Sequence, residues 1–261
     1  MNAKTRIHFT AIIDPDAQVH PSVEVGPYAI IGPNVVLGEG TVVGSHVVLD
    51  GYTTIGLRNK IFPYAIIGTE PQDLKYRGGK VRTEIGDDNI FREFVLVKAG
   101  TEDGGWVTRI GSHNLLMANA HVAHDCQIGD NVVLANNASL AGHVVLESNS
   151  VIGGMSGIHQ FVRIGQYAMI GGGGMVAMDV APFCMVSGNR ARMYGLNSVG
   201  LERAGFSADD LAALRKAYRL IFRSKMNFKE ARDEILGAQN INQFVQALID
   251  FLDHSTRGFC R

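Results

Sequence analysis

The amino-acid sequence predicts an all-β solenoid of stacked triangular coils followed by a small C-terminal helical domain. Two patterns point to the solenoid and a third to the helices. From Ile12 the chain divides into six-residue units with an aliphatic residue at the second place of each, a period found in neither helix nor coiled coil. Thirty-one glycines against seven prolines, with abundant Val and Ile, suit many short strands separated by tight turns. Beyond Pro182 the hexads stop and capped, amphipathic stretches begin.

The first run, from IIDPDA at Ile12 to KIFPYA at Lys60, puts Ile13, Val19, Val25, Ile31, Leu37, Val43, Leu49, Ile55 and Ile61 at the repeating place. The register breaks at residues 69–82 (TEPQDLKYRGGKVR), resumes through Ile85, Phe91 and Val97, and breaks again at 102–108 (EDGGWVT). From Arg109 it runs unbroken from Ile110 to Val176. A period of six can bury one inward side chain per short strand, with Gly, Asn or Asp where the chain turns. Three such sides close an eighteen-residue triangular coil, and successive coils stack as parallel strands about 4.8 Å apart. This solenoid is expected to occupy residues 1–190, with loop insertions at 69–82 and 102–108. Residues 191–261 are expected to form a connector and helical domain. Ser207 and Asp210 read as a capping-box variant before a helix bearing Leu211, Leu214, Tyr218, Ile221 and Phe222. Asn227 caps a second helix, and Phe244 to Leu252 mark a third.

A formal net charge of −1 leaves no footprint for nucleic acid or for an anionic membrane surface. Three widely spaced cysteines, Cys126, Cys184 and Cys260, argue against a disulfide framework and fit a reducing cytosol. The first residues hold no apolar core of signal-peptide length, and no stretch has the apolar length of a membrane span. A cytoplasmic protein that is not membrane-embedded is the expectation. Arg215, Lys216, Arg219, Arg223 and Lys225 cluster on the first helix, as a solvated face or as a dock for an acidic partner.

The chemistry-bearing stretch is His121 to His143, HVAHDCQIGDNVVLANNASLAGH. Eighteen-residue stacking places Gly142 one coil after His124, and Gln160 one coil after that, with His143 beside them. A His next to a backbone amide without a side chain suits acyl transfer. The imidazole takes a proton from an attacking hydroxyl, worth roughly 10²–10⁴ in rate. The Gly N–H meets the oxyanion, where one donor is worth about 2.7–4 kcal/mol. Asp125 can fix the imidazole tautomer. The competing use of His121, His124, Asp125 and Cys126 is zinc, as in the γ-class carbonic anhydrases. That requires ligands to converge, whereas His121 sits a strand length from the corner at His124. Cys126 takes the last hexad place and is read as packing. The insertion at 69–82 offers Gln72, Asp73, Lys75 and Tyr76, with Lys75 suited to a phosphate and Asp73 to a hydroxyl. A third possibility is a non-catalytic, partner-binding solenoid, which would carry outward ranks of one residue type; no Thr or other ladder is evident.

The hexads resemble the hexapeptide-repeat acyltransferases, which implies a left-handed parallel β-helix; handedness comes from that resemblance alone, since parallel crossovers generally favour the right hand. QDLKY at Gln72, NLLMANAHVAHDC at Asn114, LANNASLAGHV at Leu134, GGMSGIHQF at Gly153 and STRG at Ser255 resemble the UDP-N-acetylglucosamine O-acyltransferases of lipid A biosynthesis over essentially the whole chain. The resemblance implies transfer of a (3R)-hydroxyacyl group from the phosphopantetheine thioester of acyl carrier protein to the 3-hydroxyl of UDP-N-acetylglucosamine. It further implies a homotrimer with active sites between subunits, and no metal or other cofactor. His124 would be the general base, Asp125 its partner and Gly142 the oxyanion donor. Gln72, Asp73, Lys75, His121, His143 and Gln160 would line the substrate groove, with Asn197 and Arg203 toward the nucleotide and Gly172 setting acyl length. Lys98 stands where familiar members have His, Val199 where they have Glu, and Ala204 replaces the second of two adjacent arginines. These departures leave open a 3-amino acceptor, which would give an amide.

Overall fold

A computed structural model describes residues 6–238 and 240–261. Residues 1–5, the start of the expected solenoid, and Gln239 lie outside the described residues. The chain winds as a left-handed parallel β-helix with three flat faces. The first face has nine strands, from Ile12–Ile13 to Met175–Val176, and the second eight, from Gln18–Val19 to Arg163–Ile164. The third has ten, from Glu24–Val25 upward, closed by an antiparallel hairpin of Cys184–Ser187 and Arg192–Leu196. Register follows the eighteen-residue coil, as in Ile12 pairing with Ile30 and His121 with Ser139.

Both insertions leave the corner after the first face. Ile66 pairs with Leu96 and Leu96 with His121, separations of 30 and 25 residues, so the insertions add 12 and 7 to the coil of 18. The first is tighter than the hexads suggest and the second lies earlier, starting at 99 and ending at 106, because the second-face strands there lengthen to four residues: Tyr52–Ile55, Arg82–Ile85 and Val107–Ile110. The loops are therefore residues 70–81 and 99–106.

The core is thicker than one aliphatic row. The last place of each hexad is also buried, filled by Val23, Ala29, Val35, Thr41, Val47, Thr53, Asn59 and Ala65 in turn. Where that place is Asn, the side chain carries hydrogen bonds between coils. Asn59 Oδ1 accepts from Asn89 N and Nδ2 at 2.9 and 3.0 Å, Asn89 Oδ1 from Asn114 N at 2.9 Å, and Asn114 Oδ1 from Val132 N at 2.6 Å. Both amide atoms of Asn59 and Asn89 find partners, as buried polar groups generally do, whereas Asn114 Nδ2 is buried without one among the described residues. An outward ladder also exists, contrary to the expectation of none. At the corner entering the first face, Tyr28, His46, Tyr64 and Phe94 stack with centroids 5.0–5.1 Å apart. The period of six hides this rank because its members differ in type.

The tail holds α1 (Ser198–Arg203), α2 (Ala208–Tyr218, continuing as a π-turn over Arg219–Arg223), α3 (Phe228–Leu236) and α4 (Gln243–Asp253). Ser207 and Asp210 form the expected capping box on α2, and Asn227 with Glu230 form another on α3. The hairpin straddles the expected boundary at 190/191, and its second strand and the short α1 lie within the stretch read as connector. Among the described residues no helix is long and apolar enough to cross a membrane.

Candidate active site

His124 and Asp125 follow the strand His121–Val122, at the corner from which the loops emerge one and two coils earlier. Adjacent residues in a strand point to opposite sides. Here the corner falls at Asp125, whose φ of 60° turns its carboxylate back toward its neighbour. His124 Nδ1 lies 2.8 Å from Asp125 Oδ2.

Loop 99–106 encloses that carboxylate. Thr101 N donates to Oδ1 at 2.8 Å and Thr101 Oγ1 to Oδ2 at 2.6 Å, while Asp125 N donates to Thr108 Oγ1 at 2.8 Å. Gly104 passes so close that a Cβ there would overlap the carboxyl group. Burial alone would raise the Asp125 carboxyl, but hydrogen bonds from His124 and Thr101 outweigh it and hold the group below the usual carboxylate range. An anion is thus fixed behind the imidazole.

Gly142 covers His124 from the next coil. A Cβ on Gly142 would sit 2.5 Å from His124 Cε1 and 2.7 Å from Nε2, so only glycine leaves room for the ring. The neighbouring amide of Ala141 donates to Ile158 O and that of His143 to His124 O, whereas Gly142 N–H has no acceptor among the described residues. His143 stands edge-on to His124 with centroids 5.1 Å apart, and its ring stacks on Phe161 at 4.3 Å. Burial lowers the His143 pKa against the opposing charge of Asp125.

Around this centre the other expected residues scatter. His121 faces outward beside the corner, lining a cleft of about 530 Å³ with Ser139, Gly157, Met175 and Arg190. Burial and then the Lys98 charge lower its pKa. Lys98 Nζ donates to Thr69 Oγ1 at 2.9 Å. Asp73 and Lys75 lie near enough for their charges to act on His143. Gln72 is exposed at the base of their loop, and Gln160 is exposed one coil beyond Gly142.

Three expected residues are not brought to His124 within one chain. Asn197 caps α1, accepting from Gly200 N at 3.3 Å and donating to Tyr167 O at 3.0 Å, and Arg203 ends that helix. Tyr167 belongs to the corner between the second and third faces, a different edge of the prism. Gly172 lies on the corner entering the first face, across the strands from His124. Met175 lines the cleft instead, its Sδ packed over Gly157 at 3.0 Å from where a Cβ would be. The residues weighed for zinc do not converge either: Cys126 is buried, its thiol pushed up to about 12 by burial. The donor atoms that do converge, within 4.8 Å, belong to His124, Asp125 and His143, and the hydrogen bonds from His124 and Thr101 already occupy the carboxylate. Thr101, Gly104 and Thr108 escape the sequence reading, since no repeat or motif announces that an inserted loop returns to the corner; Phe161 is missed although the eighteen-residue count stacks it on His143.

Known proteins share this arrangement of fold and chain. The family profile described as UDP N-acetylglucosamine O-acyltransferase, domain 2, matches residues 179–260, and the bacterial transferase hexapeptide profile matches 4–39, 16–51 and 108–142. An acyl-[acyl-carrier-protein]–UDP-N-acetylglucosamine O-acyltransferase from Anaeromyxobacter sp. (strain Fw109-5) is 51% identical over 98% of this chain and 99% of its own. One of that name from Myxococcus xanthus (strain DK1622) is 48% identical over 98% and 99%. The solved structure of LpxA from Acinetobacter baumannii superposes with a TM-score of 0.95 at 46% identity, covering 98% of this chain and 100% of that one. On this similarity, spanning nearly the whole of both chains, the protein belongs to the UDP-N-acetylglucosamine O-acyltransferase family.

Proposed function

We propose that this chain moves a (3R)-hydroxyacyl group from the phosphopantetheine thioester of acyl carrier protein to the 3-hydroxyl of UDP-N-acetylglucosamine, the opening step of lipid A biosynthesis. The observation that carries the chemistry is the hydrogen bond from His124 to the enclosed Asp125 carboxylate, with the Gly142 backbone laid over the same imidazole. With Nδ1–H donated to Asp125, His124 Nε2 carries the lone pair. It takes the proton as the sugar hydroxyl attacks the thioester carbon, and Asp125 stabilises the imidazolium. Gly142 N–H donates to the oxyanion of the tetrahedral intermediate. Collapse breaks the carbon–sulfur bond, and the thiolate recovers the proton from His124. No metal or other cofactor is required, because the thioester arrives activated.

Asp73, Lys75, Gln72, His121, His143 and Gln160 serve the substrate groove. Asn197, Arg203 and Gly172 serve it from a neighbouring copy, which places active sites between subunits of a homotrimer. What supports the trimer is the open cleft beside His121 and the exposed stripe of Ile12, Ile30, Tyr28, Tyr64 and Phe94, an apolar surface that a monomer has no use for. The basic face of α2 suits an acidic carrier. A cytoplasmic location fits substrates made there.

Purified chain supplied with a mixed hydroxyacyl-carrier pool and UDP-N-acetylglucosamine should yield an O-acylated sugar nucleotide by mass spectrometry. Product formed only from the 3-amino sugar nucleotide would replace ester by amide transfer. Stoichiometric zinc in the active protein would count against the proton-transfer mechanism.

A further inference from the structure

The corner bearing His124 and Gly142 continues through Gln160 to Met178, and a side chain from the end of the chain lies across the adjoining His159 and Ala177. The segment after α4 is fastened to the prism by the buried Asp179. Asp179 N donates to Gly258 O at 3.0 Å, Cys260 N to Asp179 O at 2.8 Å, and Ser255 Oγ to Asp179 Oδ2 at 2.8 Å. This holds Arg257 Nη2 3.4 Å from both Ala177 O and His159 Nδ1. Arg257 Nε is buried with no hydrogen-bond partner, and among the described residues no carboxylate pairs with this guanidinium. A desolvated donor left unpaired is costly, and an arginine fork matches a phosphate oxyanion.

Its position identifies the oxyanion. Strands pair from His121 to Ser139, Gly157 and Met175, so His159 and Ala177 stand two and three coils beyond the coil of His124. At about 4.8 Å per coil that is roughly 10–14 Å along the axis, toward the helices that carry Arg215, Arg219 and Arg223. A partly extended pantetheine arm spans about 15 Å between its sulfur and its phosphate. We propose that Arg257, with His159 beside it, binds the phosphate of the donor's phosphopantetheine arm and so sets the thioester at His124. This rests on the acyl-carrier reading above. The diphosphate of the sugar nucleotide has the same chemistry; Lys75, with Asn197 and Arg203 of a neighbouring copy, is the set proposed for it, and comparing the KM values of the two substrates separates the two sources.

Arg257→Gln and Arg257→Lys, checked for unchanged thermal unfolding, are assayed with acyl carrier protein and with an acyl-pantetheine that lacks the phosphate. Arg257→Gln should raise KM for acyl carrier protein about tenfold or more, leaving kcat and KM for the sugar nucleotide unchanged. It should not alter the rate with acyl-pantetheine, and Arg257→Lys should recover most of the loss. Equal losses with both donors would make Arg257 merely structural and overturn the proposal, as would a KM rise confined to the sugar nucleotide. Absence of transfer by the wild type would instead refute the functional reading. Calorimetry then decides the site without turnover: preference for phosphopantetheine over pantetheine, lost in Arg257→Gln, supports it, and no preference overturns it.

Discussion

Asp125 reaches His124 only because one residue adopts a left-handed backbone, a conformation that costs a non-glycine residue roughly 1–2 kcal/mol. The pairing of His124 with Gly142 is legible in the sequence, since counting eighteen residues identifies what stacks on what. The closure behind Asp125 is not, because Thr101 and Gly104 arrive on an insertion whose course no period dictates. Gly104→Ala therefore tests the enclosure: the added methyl must displace the carboxylate or the loop, and steady-state kinetics should show kcat falling at least tenfold while the fold persists. Unchanged kcat would mean the loop does not govern Asp125. Lys98 tests the electrostatics. After burial, the larger cause, its charge helps to hold the His121 pKa below the usual histidine value. Lys98→Met removes that repulsion, and the His121 midpoint followed by NMR should move upward, toward 6.5.

At the scale of the element, a strand of two residues has no independent stability, and each corner must satisfy its own polar groups. The hexads announce every first-face strand from Ile12 onward, and capping residues announce α2, α3 and α4, because those signals are local. The hairpin at Cys184–Ser187 and Arg192–Leu196, which straddles the expected end of the solenoid, and the short α1 carry no period and are not announced as elements. The asparagine column is a similar case: Asn59, Asn89 and Asn114 are separated by 30 and 25 residues, so the insertions disguise their alignment. Asn89→Ala strips the buried Asn114 N–H of its acceptor, and Asn89 Nδ2 no longer donates to Gly111 O. Denaturant unfolding should register a loss of about 1–3 kcal/mol. A loss below a few tenths would show that water replaces the side chain at little cost.

For the whole molecule, the first face is the organising surface. It has the His124 corner on one edge, the aromatic ladder and Gly172 on the other, and an apolar cleft between them. A single chain leaves Asn197 and Arg203 on another edge, and the homotrimer proposed above would bring them to the site from a neighbouring copy. Sedimentation should give three chains per particle, and Tyr64→Asp, which puts a charge into the ladder, should release monomers. Persistence of the trimer in that variant would locate the interface elsewhere. Subunit arrangement is the part least legible in the sequence, since it depends on which outward residues align, and the period speaks only of inward ones.

The proposed acyl transfer depends most directly on His124 as the proton acceptor. The measurement is the initial rate of acyl transfer by His124→Ala with both substrates saturating, beside wild type and with circular dichroism and sedimentation unchanged. A rate lower by roughly 10²–10⁴ or more is predicted. A variant that transfers at the wild-type rate would contradict the mechanism.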